Sequence, residues 1–240
     1  MIKNIDELLC GNPYPGRGIL IGCSSDGRRS VVIYFIMGRS ENSRNRIFER
    51  AKDGIRTAAY DLKKLADPSL IIYHPVRECG AKLIVTNGDQ TETIAHNLSH
   101  GFDIHTALKT REFEPDAPNY TPRISGLVEQ NGSYTLSILK TLSGDPKHCL
   151  RCFYEYSGII PGLGHFISTY ETDGDPLPSF SGEPIPVKIT DSGGLEAYAY
   201  EIWNSLNENN KVSLYTRECD LSNGEVNDLI INKFVSGGTV

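Results

Sequence analysis

Long hydrophobic runs, positive charge and cysteine are all scarce in this 240-residue chain. No apolar segment approaches the roughly 20 residues that span a bilayer. The longest, Val31 to Met37, has the length of a strand. Lys and Arg number 24 against 30 Asp and Glu, a net charge of −6. That balance excludes the broad basic field with which a general nucleic-acid binder displaces counterions from phosphates. Six scattered cysteines are too few for a disulfide framework. The segment Met1 to Leu9 lacks the apolar stretch of a secretion signal, so the expected compartment is the cytoplasm, with no membrane partner. Neither a P-loop nor a G-x-G-x-x-G occurs, which removes support for nucleoside triphosphate or dinucleotide cofactors. The remainder, 39% hydrophobic and 22% charged, is the composition of an ordinary globular protein. With no linker, repeat or low-complexity tract, residues 1–240 read as one domain. The proline-rich stretch Asp175 to Pro186 reads as an extended loop. The composition leaves a homo-oligomer open.

Turn signals organise the chain. Ile19, Ile21 and Cys23 alternate toward Asp26-Gly27, and Val31 to Met37 follows. An Asp-Gly between two such segments predicts a hairpin, because its turn needs positive φ. Ile124 to Glu129 and Tyr134 to Leu139 flank Asn131-Gly132 in the same way. Leu70 to Tyr73 and Lys82 to Val85 read as two more strands, Leu150 to Tyr156 and Phe166 to Tyr170 as a further pair. Val187 to Ile189 and Val212 to Thr216 complete the set. Asp89, with Glu92 three residues on as a capping-box partner, starts a helix through Ile94 and Leu98. Gly101 ends it, and Ile104 to Lys109 resumes the helical pattern. A second helix runs from Ser192 or Gly193 to about Asn207, with Leu195, Ala199, Ile202, Trp203 and Leu206 on one face. A third covers Ile47 to Leu65. Consecutive antiparallel strands with few helices indicate an α+β fold. The nearly continuous apolar character of Val31 to Met37 indicates a sheet covered on both faces. Two packed sheets with helices outside satisfy both.

Eight of the 13 arginines fall in the first 56 residues. Arg39, Arg44 and Arg46 follow directly on an apolar strand, where guanidinium groups at fixed positions suit a phosphate or carboxylate. The strand-to-helix segment Thr86-Asn87-Gly88-Asp89-Gln90-Thr91 offers backbone N–H groups, hydroxyls and an amide to an anion, or merely caps the helix. Glu112, Glu114 and Asp116, with Arg123 soon after, could supply a general base and an anion clamp, or form a charged surface loop. Tyr170-Glu171-Thr172-Asp173 near a strand end is a weaker case. Cys149 and Cys152 have no second pair, and His96 and His100 have no third ligand and Asn97 where a zinc protease needs Glu. No metal is expected.

In this order, Gly16-Arg17-Gly18-Ile19-Leu20, Gly38-Arg39-Ser40 with Asn45-Arg46, Tyr73, Asn87-Gly88 with Thr91-Glu92-Thr93-Ile94-Ala95, Asn119-Tyr120-Thr121-Pro122-Arg123-Ile124 and Tyr170-Glu171 are together similar to the archaeal-type IMP cyclohydrolase family and its bacterial relatives. The likeness runs from about residue 13 to 218. It implies a four-layer αββα sandwich of the N-terminal-nucleophile hydrolase type, without that class's autoprocessing or nucleophile. It also implies closure of 5-formamidoimidazole-4-carboxamide ribonucleotide (FAICAR) to inosine monophosphate (IMP) with loss of water, with no cofactor. On the same likeness Tyr73 and Glu114 are the proton-handling pair. Glu114 would act as base toward the carboxamide and Tyr73 as donor to the formyl oxygen, or the two exchanged. Arg39 and Arg46 would hold the 5′-phosphate or the developing oxyanion. Asn87, Gly88, Thr91, Asn119, Thr121 and Arg123 would fix the base or phosphate. Two other readings compete: an amide hydrolase whose Cys10 becomes an N-terminal nucleophile after cleavage, and a purine-nucleotide-binding protein without catalysis.

Overall fold

A computed structural model describes residues 2–64 and 72–234. Two seven-stranded sheets carry the fold. The first runs, in spatial order, β1 (Lys3–Asn4), β12 (Ile185–Lys188), β11 (Leu163–Ser168), β2 (Arg17–Cys23), β3 (Arg29–Met37), β13 (Lys211–Asp220) and β14 (Val226–Asn232). The second runs β10 (Asp145–Tyr156), β9 (Tyr134–Leu142), β8 (Arg123–Val128), β7 (Lys82–Thr86), β6 (Val76–Cys79), β5 (Gly54–Ala59) and β4 (Arg46–Ala51). Every pairing is antiparallel except β1 with β12. The helices are α1 (Ile5–Leu9), α2 (Glu41–Arg44), α3 (Gln90–Ser99), α4 (Ile104–Leu108) and α5 (Leu195–Ser205).

Both expected hairpins form. Cys23 pairs with Ser30 and Arg17 with Ile36 across the first, its turn closed by Gly27 at φ 75°. Val128 pairs with Tyr134 across the second, where Gly132 has φ 84°. Period-two alternation then sorts the side chains. Val31, Ile33 and Phe35 join Leu20 and Leu214 in a core shared with Ile5 and Leu9 of α1 and Tyr198, Ala199, Ile202 and Trp203 of α5. Val32, Tyr34 and Ile36 point the other way with Ile19 and Ile21. They meet Phe48, Ile55, Val85, Ile124 and Leu136 of the second sheet. A third core joins Ile84, Leu127 and Leu139 to Ile94 and Ala95 of α3 and Ile104 and Leu108 of α4. Strand β3 is apolar from Val31 to Met37, with Tyr34 among them, because both of its faces are covered.

Several expectations are corrected. Ile47 to Leu65 does not form the expected helix; over its described part only Leu62–Lys64 makes a short 3-10 turn. It holds the hairpin β4/β5, with Glu49 opposite Arg56 and their side chains ion-paired at 2.8 Å. Phe48 and Ile55 face inward, and Lys52 and Asp53 make the turn between Ala51 and its partner Gly54, so period two overrides the apparent helical spacing. Leu65, and positions 70–71 of the strand expected at Leu70 to Tyr73, lie outside the described residues; β7 takes β6 as its hairpin partner instead. Strands β10 and β11 are not a pair, since β10 pairs with β9 in one sheet and β11 with β2 and β12 in the other. Strand β14 fills a stretch with no earlier assignment.

The N-terminal segment is part of the core: Ile5 and Leu9 are each 1% exposed. Leu9→Ala should cost about 2–5 kcal/mol of unfolding free energy, the range for a buried leucine. Urea unfolding measures this, and a loss below about 0.5 kcal/mol would show α1 to be peripheral.

Candidate active site

Antiparallel pairing brings several strand ends to one edge of the sandwich. The start of β2, the end of β3, the start of β4, the end of β7 and the start of β8 meet there. On β2 the residues Arg17, Ile19 and Ile21 share the face toward the second sheet, so the apolar core of Ile19 and Ile21 ends in a guanidinium. On β4 the same alternation places Arg46 beside Phe48. Arg46 is completely buried. Its Nε donates to the Ser43 carbonyl at 2.8 Å and its Nη2 to the Met37 carbonyl at 3.2 Å. Its Nη1, and the Nε of the partly exposed Arg17, are buried with no hydrogen-bond acceptor among the described residues. Unpaired buried donors on charged groups are costly.

Tyr73 and Glu114 reach the same place, each 5% exposed. Tyr73 is held by its backbone: its N–H donates to Thr57 Oγ1 at 2.9 Å, and its carbonyl accepts from the Thr57 N–H at 2.9 Å. Its hydroxyl lies 2.9 Å from that of Tyr34. Glu114 sits in the loop before β8, where its N–H donates to the Thr121 carbonyl at 2.9 Å. Burial pushes the Glu114 carboxyl above the usual carboxylate range; Arg17, Arg123 and Arg46 oppose that shift, and Asp116 adds to it. Burial works against the charge of Arg17, but Glu114, Tyr14, Tyr170 and Tyr73 around it raise its pKa. Arg46 is shifted down by burial and by Arg17, with Tyr73, Tyr34 and Tyr14 opposing. These reciprocal influences define one cluster of two guanidiniums, one carboxyl and several phenols.

The other expected residues divide into groups. Arg39 stays outside the cluster. It is exposed, bonded to Asp173 and the Gly174 carbonyl, with its guanidinium 5.2 Å from the ring centre of Tyr14. Asn87 donates to the Pro122 carbonyl at 2.9 Å, and its Oδ1 accepts from Gln90 and from the Ile124 N–H. Thr91 Oγ1 bonds Thr86 Oγ1 and the Gly88 carbonyl. Asn119 Oδ1 accepts from the Leu177 N–H. Thr121 Oγ1 bonds Asp116 and Tyr170. These four side chains hold loops together, Asn87, Thr91 and Asn119 partly through backbone and Thr121 through two side chains, as polar groups away from water require. Gly88 matters for its missing side chain. A Cβ there would lie 2.6 Å from Arg123 Nη1 and 3.4 Å from Glu114 Oε1, so both groups press against bare backbone. Asp89 does not cap α3. Its carboxylate lies 2.5 Å from Arg111 and 2.7 Å from Arg123, while Glu92 pairs with Arg77. Of the three candidate carboxylates, Glu112 is exposed and lies 3.7 Å from Arg151. Asp116 is engaged by Thr121, and Glu114 alone is buried.

Sequence reasoning omitted Arg17, Tyr14 and Tyr34 from the site. The signal for Arg17 was present: a charge in register with Ile19 and Ile21 on a face that must be dry. Other motifs fall elsewhere. Cys10 is exposed, and cleavage before it would remove β1 and α1 with buried Ile5 and Leu9. Cys149 and Cys152, three apart on a strand, face different cores. The rings of His96 and His100 meet in a tilted contact with centroids 4.4 Å apart. Among the described residues no group of three or more His, Cys, Asp or Glu is placed to hold a metal ion, and no helix is long and apolar enough to cross a membrane. A cavity of about 490 Å³ opens at the opposite strand ends, but its charges pair internally, Arg217 with Glu78 and Lys82 with Glu129.

Guanidinium N–H groups without acceptors, beside a buried carboxyl and a phenol, make a site suited to grip an anion and move a proton. A family model described as IMP cyclohydrolase-like protein matches residues 14–225, a span that takes in the whole cluster, and the chain belongs to that family. Two curated proteins named IMP cyclohydrolase are similar to it. One, from Methanococcus aeolicus, is 28% identical over 162 residues, covering 66% of this chain and 74% of its own length. The other, from Methanosphaera stadtmanae, is 29% identical over 162 residues with the same coverage, 66% and 74%.

The electrostatics can be checked directly. With Glu114 labelled in its side-chain carboxyl, an NMR titration should place its midpoint above the reference value of about 4.3. A midpoint at or below that value would show that the surrounding arginines outweigh burial.

Proposed function

We propose that this chain is an IMP cyclohydrolase, closing FAICAR to IMP in purine biosynthesis by acid–base chemistry of its own side chains. We place it in the cytoplasm, as one domain with the four-layer αββα arrangement of N-terminal-nucleophile hydrolases. The three cores, two flanking helices and one between sheets, support that arrangement. The observation that carries the function is the pair of guanidiniums, Arg17 and Arg46, with unpaired N–H groups in the field of Glu114 and Tyr73. Membership of the family supports the reaction.

The chemistry asks little beyond positioning and proton transfer. Nucleophile and electrophile already share one imidazole ring, so the site needs only to hold the formamide in its reactive rotamer. The carboxamide nitrogen attacks the formyl carbon, and the C–N bond forms as Glu114 takes a proton from that nitrogen. Tyr73 donates to the formyl oxygen as negative charge gathers on it, and the C–O bond then breaks as the oxygen leaves in water. That water carries one proton from the carboxamide nitrogen and one from the formamide nitrogen, so Tyr73 and Glu114 return to their starting states. A carboxyl whose proton affinity is raised by burial is a competent base near neutral pH. Arg17 and Arg46 supply donors to the phosphate or to the developing oxyanion. Arg39, ion-paired beside Tyr14, fits a binding role better than a chemical one.

Incubation of the pure protein with FAICAR should yield IMP by chromatography; no IMP would overturn the proposal. Tyr73→Phe and Glu114→Gln should each lower kcat by about 10²–10⁴-fold, the usual worth of general acid–base catalysis. Arg39→Ala should act chiefly on KM. Wild-type kinetics in all three variants would place the chemistry elsewhere.

A further inference from the structure

Tyr34 lies in the middle of β3, on the face turned toward the second sheet, and its side chain is fully buried. Its ring stacks on Phe48 with centroids 5.6 Å apart. Its cross-strand neighbours are Ile19 and Tyr215, and the Tyr215 hydroxyl is engaged by Asp228. Among the described residues the Tyr34 hydroxyl has one hydrogen-bond partner, the hydroxyl of Tyr73 at 2.9 Å. The charged and titratable groups facing this pair are Arg17 from β2 and Arg46 from β4. Through Arg17 and Arg46 the pair is linked to Glu114, Tyr14 and Tyr170.

A phenol has one proton to give. If Tyr73 donated to Tyr34, the Tyr34 proton would be left in a dry interior without an acceptor, at a cost of about 1–3 kcal/mol. The direction that leaves no spare proton on the fully buried Tyr34 has Tyr34 donating and Tyr73, at the site, accepting. That arrangement leaves the Tyr73 proton free for another acceptor. We propose that Tyr34 is a positioning residue that donates its only proton to Tyr73, so that the Tyr73 hydroxyl is always aimed at substrate and its oxygen is stabilised as it loses that proton. The inference rests on the reading of Tyr73 as the proton donor to the formyl oxygen. Burial drives the Tyr34 hydroxyl well above the ordinary phenol range, with Tyr73 adding to the shift. Tyr34 therefore keeps its proton while Tyr73 gives one up, and the chain of two phenols works in one direction.

Tyr34→Phe keeps the ring, its volume and the stack on Phe48, and removes only the donor. Turnover of FAICAR should fall about ten- to a hundredfold in kcat, the worth of a hydrogen bond to a developing charge, with KM changed less than about twofold. A double-mutant cycle with Tyr73→Phe separates this role from loosened packing. In a Tyr73→Phe background the Tyr34→Phe change should have no further effect on kcat. A Tyr34→Phe enzyme with wild-type kcat, or with a loss that adds fully to that of Tyr73→Phe, overturns the inference. If Tyr73→Phe itself turned over at the wild-type rate, the proposed site would fail with it, and the two failures are read from different variants.

Discussion

Two guanidinium groups set between the sheets are the constraint to which the rest of this molecule answers. Like charges repel, and water is excluded from Arg46, so the pair persists only because other groups compensate it. The Glu114 carboxylate and the oxygens of Tyr14, Tyr73 and Tyr170 supply that field, and two backbone carbonyls take part of Arg46's donors. The compensation is incomplete, as the unpaired Nε of Arg17 and Nη1 of Arg46 show. An interior that tolerates unmet donors is less stable than it would be with apolar residues there, and the same deficit gives an anionic ligand its reason to enter. Stability and binding thus draw on one set of atoms.

The loops around this centre follow from the same demand. Gly88 carries no side chain, so Arg123 and Glu114 can approach backbone. Asn87, Thr86 and Thr91 tie the β7–α3 turn to itself and to β8. Asp116 and Thr121 brace the loop that carries Glu114. Asn87, Thr91 and Thr121, read in the sequence as candidates to fix a base or phosphate, bond within the chain around the cluster. Polar side chains near a buried charge are mostly occupied in keeping the backbone around it satisfied.

Much of the fold was legible because it rests on local signals. The Asp26-Gly27 and Asn131-Gly132 turns fix their hairpins, and the apolar stripe of α5 fixes its packing face. The β4/β5 hairpin was misread because Ile47, Phe48 and Ile55 fit a helical period nearly as well as an alternating one. Only the turn at Lys52-Asp53 and the Glu49–Arg56 pairing across it decide the matter. The partners of β10 and β11 were not legible, since adjacency in sequence says nothing about which sheet a strand joins. Of the buried cluster, Tyr73, Glu114 and Arg46 were named through the family resemblance. That Arg39 pairs with Asp173 instead of joining them depends on a partner far away in sequence. That Tyr34 meets Tyr73 depends on a hydroxyl contact that no spacing rule encodes.

At mid-strand the sheets meet tightly: a Cβ on Gly126 would fall 2.5 Å from the Ile21 side chain. Apolar packing there insulates one rim of the sandwich from the other. On the remote rim, the tips at Gly80 and Gly224 have open space around their α-carbons. Chain grafted into those tips, whether a peptide epitope or a fluorescent module, sits a full strand length from the charged end and leaves its chemistry undisturbed.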